Sequence, residues 1–564
     1  MLTFSYRIIG LFFLSIICPA TTFAQFSPPN DAHLNYSSVC FEFPWVDQVT
    51  SYELTLTEKS SGIKTVYRTQ ANKCIVNELV FGESYLWKIT GLNSRKKEIY
   101  SSQELSFSID EHFKTGKKFV RFKEITNNPL TRGDELLILD YAGIVINHNE
   151  EIVWYLPDVP ILTANTGLRD LKLTEDGTFL AIIDSNAYEM DLTGAVLWKA
   201  PNDGKVSHYS KEDYHHDFQK LPSGNYMVLG NERQRRVLAG EKDTSRYEIG
   251  TIIEYDPSGK IVWEWHAKDF FTDDLLKLRK KEDGSYNLAT HLNAFSVVGN
   301  FIYAGFRDAN WVIKIDKTTK KVVEIYGGRE SGLPNHYGKG LFHSQHDATV
   351  LSNGAMAVIN NDSIKDPATV SSLVVFSLGE NNIPKGEEIF RFKFDYDSLC
   401  NGKSLKLGNV EELNNGNYLV NMGAIHRIFE VSPKGEIAWD IFVEKLDTFK
   451  RVWRFYPQYR VAPVSSLYPN EFTVKWTPKK VKGEQLIGSV SLFNVGSEKN
   501  RYTLYVELDN GTSVPLTEIP AIEPGQSRAT IVTIPKKYLN TTGAAKLRIQ
   551  VRGKSLNEEV IVGR

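Results

Sequence analysis

Three histidines of this chain each stand eight residues ahead of a glycine: His216 before Gly224, His291 before Gly299 and His346 before Gly354. Only 12 of the 564 residues are histidine, so three coincidences in one register are improbable by chance. Imidazole titrates near neutral pH and can serve as nucleophile, base or acid. Two further polar residues fall into the same frame. Arg307 lies eight residues beyond Gly299, and Asn293 lies two beyond His291, on the same side of a regular strand. Three imidazoles, a carboxamide and a guanidinium make a pocket suited to an oxyanion, because Arg and Asn donate to its oxygens in fixed geometry. Passing a sulfuryl or phosphoryl group to a histidine nitrogen depends mostly on positioning and charge stabilisation.

The elements that must gather these residues repeat along the chain. Between about Thr131 and Pro463, five segments share an apolar strand, a turn glycine (Gly177, Gly224, Gly299, Gly354, Gly416) and a second apolar strand. Arg169 and Gly408 hold the histidine register in the first and last of them. A third strand then leads through a turn to an aromatic strand, as at Trp198, Trp263 and Trp439. Four antiparallel strands per repeat predict a β-propeller blade, and equivalent positions of such blades ring one axis. The three histidines are therefore expected to converge near one mouth. A sixth repeat is split. Leu136–Asp140 through Ile152–Trp154 supplies its outer strands, and the segment near Val452–Phe455 is expected to return and close the ring, leaving no free edge. Six blades is the reading, with seven as the alternative.

The rest of the sequence is also strand-like. Residues 25–112 alternate in short runs, among them Cys40–Trp45, Tyr52–Thr57 and Tyr85–Thr90, and resemble a fibronectin type III or immunoglobulin-like sandwich. The propeller is assigned to 113–463, and a second immunoglobulin-like sandwich to 464–564. The whole is all-β. Residues 1–24, with Arg7, the apolar run Ile8–Cys18 and the small residue Ala24, are read as a signal peptide, which predicts a periplasmic or secreted protein. No later run is long enough to span a bilayer. A net charge of −2 gives no footprint for nucleic acid. After signal removal Cys40, Cys74 and Cys400 remain. Cys40 and Cys74 are candidates for a disulfide, with two buried thiols as the alternative.

The motifs Tyr214-His-His-Asp-Phe-Gln-Lys-Leu-Pro-Ser-Gly-Asn225, Thr290-His-Leu-Asn293, Gly305-Phe-Arg307, Gln345-His-Asp347 and Tyr456-Pro-Gln-Tyr-Arg-Val-Ala-Pro463 together resemble the bacterial arylsulfate sulfotransferases, over roughly residues 130–465. The resemblance implies a periplasmic six-bladed propeller that moves sulfate between phenols by a ping-pong route through a sulfohistidine, without a nucleotide donor. It implies His346 as nucleophile, His216 and His291 for proton transfer and oxygen contacts, and Asn293 and Arg307 as holders of the sulfuryl oxygens. The implied partners are a small phenolic sulfate donor and a phenolic acceptor, with no cofactor, no metal, no nucleic acid and no integral membrane segment; a homodimer stays open. The sequence departs from the family pattern at Leu288-Ala-Thr290 and at Asp308, which bears on acceptor choice.

Two rival readings use the same residues. The histidines with Gln345 could hold a divalent metal for a lyase or hydrolase, although Arg307 would repel it. Alternatively the propeller binds and does not catalyse. His266, His336 and His426 are read as structural, and His215 and His343 are set aside on strand parity. The basic run Arg279-Lys-Lys281 is read as a solvated loop. Asp217 and Asp347 are expected to bond backbone and stabilise the blades.

Overall fold

The computed structural model describes residues 26–111, 120–159, 161, 167–237, 242, 244–271, 287–288, 290–328, 331–362, 370–399, 402–447, 449–482, 485–508, 512–539, 545–551 and 554–562. The segment 1–24 read as a signal peptide, Cys400 and the basic run at 279–281 lie outside them. The described chain is all-β, its helical turns being short 3₁₀ pieces such as Ala267–Asp269.

Six antiparallel sheets carry the repeat. Sheet I is built from Leu136–Leu139, Ile144–Ile146, Ile152–Tyr155 and the late strand Val461–Val464. Sheets II to VI open with Leu168–Leu173, Tyr214–Lys220, Leu292–Val298, His346–Val350 and Asn409–Glu412, and each runs on through three more antiparallel strands in chain order, with sheets IV and VI adding a further one. One expectation is corrected here. Val452–Phe455 does not complete sheet I; it pairs with Ile437–Asp447 at the outer side of sheet VI, and Val461–Val464 pairs with Leu136–Leu139 instead. The sequence Val-Ala-Pro-Val accounts for the choice. It is half-buried, whereas the equally short Val452–Phe455 is mostly exposed, as suits an outer strand.

The opening strands of sheets II to VI and Val461–Val464 of sheet I touch in succession, the strand of sheet VI lying against Val461–Val464 and that strand against Leu168–Leu173. Six apolar layers follow the same order, one between each sheet and the next. Ile182 and Phe218 meet between II and III, Leu229 and Ile313 between III and IV, and Val312 and Val358 between IV and V. Ile359 and Val420 fill the layer between V and VI, Leu139 and Ile441 that between VI and I, and Trp154 and Phe179 that between I and II. Because both faces of each sheet are covered, second strands such as Phe179–Ile183 are apolar without alternation, and Met356–Asn360 is buried along its whole length.

Side chains on the opening strands stitch each sheet to the next. Asp140 Oδ2 accepts the Asp170 amide (3.1 Å), Asp170 Oδ2 that of Phe218 (2.7 Å), and Asp217 Oδ2 that of Phe295 (3.0 Å). From sheet IV, Ser296 Oγ donates to the Ala348 carbonyl (2.6 Å). Asp347 Oδ2 accepts the Val410 amide (2.9 Å), and Asn409 Oδ1 that of Val461 (2.9 Å). Asp217 and Asp347 thus bond backbone across sheets, as their parity suggested.

At the centre of this stitching sits Arg460, buried, one residue before the strand that completes sheet I. Its guanidinium meets Asp170 (3.1 Å), Asp217 (3.0 Å) and Asp347 (3.1 Å), which come from three different sheets. Lys172 adds a second cation, 2.6 Å from Asp217 and 2.9 Å from Asp170. Burial works against the charge on Arg460, but the three carboxylates outweigh it and hold the guanidinium protonated. Burial, reinforced by Asp347, pushes nearby Glu411 up to about 8, so it is neutral at pH 7 and the cluster avoids a further buried anion.

The flanking strands form separate layers. Ser51–Glu58, Ser84–Leu92 and their neighbours make one sheet, backed by the ribbon of Val39–Glu42 and Lys73–Val76. Phe472–Lys482, Gln485–Asn494 and Ser527–Pro535 face a second, four-stranded sheet across an apolar core. The two regions meet through Trp45 Nε1 on the Val474 carbonyl (3.0 Å) and Lys73 on Glu471 (2.6 Å). Cys40 and Cys74 are free thiols, so the disulfide alternative is set aside. In the ribbon Cys40 pairs with Ile75 and Phe41 with Cys74, which puts the two cysteines on opposite faces.

Replacing Arg460 with Ala leaves three buried carboxylates without their cation. A loss of about 3–5 kcal/mol of folding stability is expected, read as a lower urea midpoint; an unchanged midpoint would contradict the role given to Arg460.

Candidate active site

Above the Arg460 cluster lies a cavity of about 520 Å³ lined by Tyr141, Arg169, His216, His291, Arg307, His346, Lys406, Leu407, Ala424, His426, Pro457 and Tyr459. Four of the five residues singled out from the sequence meet there. The ring centroids of His216 and His291 are 5.3 Å apart, and those of His291 and His346 6.3 Å. Arg307 is tied to His291 through its backbone amide, which donates to the His291 carbonyl (3.0 Å).

Local backbone geometry, more than strand alternation, aims these side chains. Asp170, His216, His291 and Asp347 have φ of 52°, 64°, 51° and 66°. Asp170, His216 and Asp347 sit where pairing with the second strand slips by a bulge, and His291 stands just ahead of the slip between Leu292 and Ala294. A left-handed non-glycine residue costs on the order of 1–3 kcal/mol. Here the kink sends one side chain into the cavity and its neighbour into the stitching below. The same kink defeats the period-two argument for Asn293. That residue does not line the cavity; its Nδ2 donates to the Gln345 carbonyl (2.8 Å), inside the wall just ahead of His346.

His346 is held in one tautomer. Asn361 Nδ2 donates to the carbonyls of Ser404 (2.9 Å) and Leu407 (3.1 Å), so its Oδ1 faces His346 Nδ1 at 2.7 Å. Nδ1 is therefore the donor, and the lone pair of the ring is on Nε2. Burial, with Arg307 and Arg460 nearby and against the pull of Asn361, brings the His346 pKa down to about 3. His216 is also held well below its ordinary value, by burial and then by His215, His291, His346 and Arg169. The imidazoles of His216 and His346 are neutral at physiological pH.

The lining is cationic. Arg169, Arg307 and Lys406 contribute three positive groups, and among the described lining residues there is no carboxylate. Arg307 Nη1 bonds Asp308 (3.1 Å), while its Nε is buried without a protein partner. A buried, unpaired N–H is costly unless a ligand oxygen meets it. Tyr459 packs between His216 and His346, with ring centroids at 5.5 and 6.4 Å, and its hydroxyl donates to the Asn293 carbonyl (3.2 Å).

Several contributors were not picked out from the sequence. His426, read as structural, lines the cavity in a left-handed conformation and stacks on Phe455 at 5.5 Å. Arg169 occupies the histidine register, and Tyr459 lies in the Tyr456–Pro463 motif, so both carried a signal. Asn361 and His426 follow the second strands of sheets V and VI as Arg307 follows that of sheet IV, a position the histidine register does not sample. His336, by contrast, is structural, its Nε2 lying 2.7 Å from the Gly327 carbonyl. Among the described residues no group of three or more His, Cys, Asp or Glu is arranged to hold a metal. No helix among them is long and apolar enough to cross a membrane.

Acid should expose the low pKa of His346. Its unfolded value is 6.5 and its folded value about 3, so between these the unfolded chain binds more protons. The stability is intact above pH 6.5 and falls as pH drops toward 3, by up to ~1.4 kcal/mol per pH unit for this one group. Urea midpoints from pH 7 to pH 4 test this, and His346→Gln is expected to flatten the slope.

The family model described as Arylsulfotransferase (ASST) matches residues 125–441, which cover sheets II to V, the first three strands of sheet I and most of sheet VI. A comparison with curated proteins gives no match.

Proposed function

Because the chain belongs to the arylsulfotransferase family, we propose that it transfers a sulfuryl group from a phenolic sulfate ester to a phenolic acceptor in two steps, through a sulfohistidine at His346. The observation that carries this reading is the Asn361 contact, which keeps the proton on Nδ1 and leaves the Nε2 lone pair for attack. In the first step Nε2 bonds to sulfur as the aryl S–O bond breaks and the phenolate departs. In the second the acceptor oxygen bonds to sulfur, the N–S bond breaks with its electron pair returning to Nε2, and the acceptor proton passes to His216 or His291, which line the same cavity.

Charge develops on the sulfuryl oxygens and on the leaving phenolate. Arg307, with its unpaired Nε, and Arg169 in the same lining are donors for that charge. The same cations argue against a divalent metal among the histidines. Asn293 acts in this scheme from behind, by fixing the Gln345 carbonyl beside the nucleophile. The six sheets are read as blades of a six-bladed propeller at 113–463, with sandwiches at 25–112 and 464–564. The cyclic order of their apolar layers supports that reading. Residues 1–24, as a signal peptide, make this an exported enzyme.

With 4-nitrophenyl sulfate and phenol, phenol-dependent nitrophenol release insensitive to chelator is expected. His346→Ala should abolish it, and Arg307→Ala should lower kcat by about 10²–10³-fold. Chelator-sensitive release would favour a metal-dependent reaction, and no release with any phenol would sink the transfer chemistry.

A further inference from the structure

His215 lies outside the cavity lining, yet its Nδ1 is 2.6 Å from Nδ1 of His216, with the rings at 86°. Residues adjacent in a regular strand point to opposite faces and cannot meet this way. They meet here because His216 takes the left-handed conformation at φ 64° and the strand slips register between Tyr214 and Phe218. At such a contact one nitrogen must carry a hydrogen and the other a lone pair. Nδ1 of His216 is thus committed to His215, and only Nε2 is left to meet a substrate in the cavity.

The two imidazoles stand in different fields. His216 is surrounded by His291, His346 and Arg169, all of which oppose a positive charge on it. Burial, with Arg169, holds His215 below its ordinary value too, but against this the Asp213 carboxylate, the Asn231 side chain and the Gly230 carbonyl favour a proton there. Asp213 is held in turn by Asn231 Nδ2 at 3.5 Å and by Arg233 at 3.7 Å, and its side chain is about a quarter exposed. A proton taken from an acceptor finds only opposing neighbours on His216, whereas one ring outward it gains a carboxylate and two polar partners.

We propose that His215 is a relay residue for the second step of the reaction. This rests on the sulfuryl-transfer reading above. As the acceptor oxygen bonds to sulfur, the phenol O–H bond breaks and its proton goes to Nε2 of His216. The Nδ1 proton of His216 passes to Nδ1 of His215. His216 ends neutral, the positive charge rests on His215 facing Asp213, and the electron pair of the N–S bond returns to His346. The cationic cavity never has to hold a fourth charge while the sulfuryl group leaves.

The relay matters only for acceptors that still carry their proton. The test is transfer from 4-nitrophenyl sulfate at one pH to a series of phenols of graded acidity. For His215→Gln, kcat/KM with phenol itself should fall about 10- to 100-fold, at or below the lower end of what general acid–base groups contribute. The deficit should shrink steadily for acceptors already ionised at that pH. Asp213→Asn, at a partly exposed site, should show a smaller deficit with the same dependence, and serves if His215→Gln does not fold. A loss equal for all acceptors, or no loss in either variant, overturns the relay. A wild-type protein that releases no nitrophenol with any acceptor overturns the sulfuryl reading and the relay together.

Discussion

One guanidinium organises this protein. Arg460 is buried, and its three faces meet carboxylates from sheets II, III and V. Each of those carboxylates also accepts a backbone amide of the next sheet or belongs to a residue adjoining a cavity histidine. The pairs are expensive to desolvate, and a buried ion pair alone is weak evidence of stability. Their value here is geometric. A cation that must satisfy three acids at about 3 Å fixes the separation of the strands that carry them. His216 and His346 stand one residue from Asp217 and Asp347, so the spacing of these two imidazoles is inherited from the ion cluster underneath.

Much of this was legible in the sequence because it repeats. The turn glycines set the register, and the register brought His216, His291 and His346 to one place together with Arg307. The strand content and the antiparallel order within each sheet follow from the apolar runs between those glycines. The role of Asp217 and Asp347 as backbone acceptors also follows, since a side chain next to a cavity residue must point elsewhere. These are all consequences of local periodicity, which a single chain displays directly.

What escaped the sequence reading escaped for two physical reasons. The first is conformational. Left-handed residues at the start of the opening strands break the alternation, so parity assigned Asn293 to the cavity when it stands in the wall, and separated His215 from His216 when their rings touch. Nothing in the identity of a histidine announces φ near +60°. The second is competition between similar segments. Val452–Phe455 and Val461–Val464 are both short and β-prone, and only the burial offered by Leu136–Leu139 and the anchoring of Arg460 beside it decide which of them completes sheet I. Asn361 and His426 were missed because the register was followed along first strands and not to the ends of the second ones.

The position of Arg460 late in the polypeptide has a temporal consequence. Asp170, Asp217 and Asp347 leave the ribosome long before it does, and until it arrives they are three acids converging with a single lysine for company. Sheets II to VI can acquire their hydrogen bonds on the way, but their inner edges repel one another until residue 460 arrives. Its arrival and the pairing of Val461–Val464 with Leu136–Leu139 are one event, separated by a single peptide bond. Closure of sheet I and neutralisation of the three acids therefore coincide, and the strands that carry His216 and His346 reach their final spacing only with residue 460 in place.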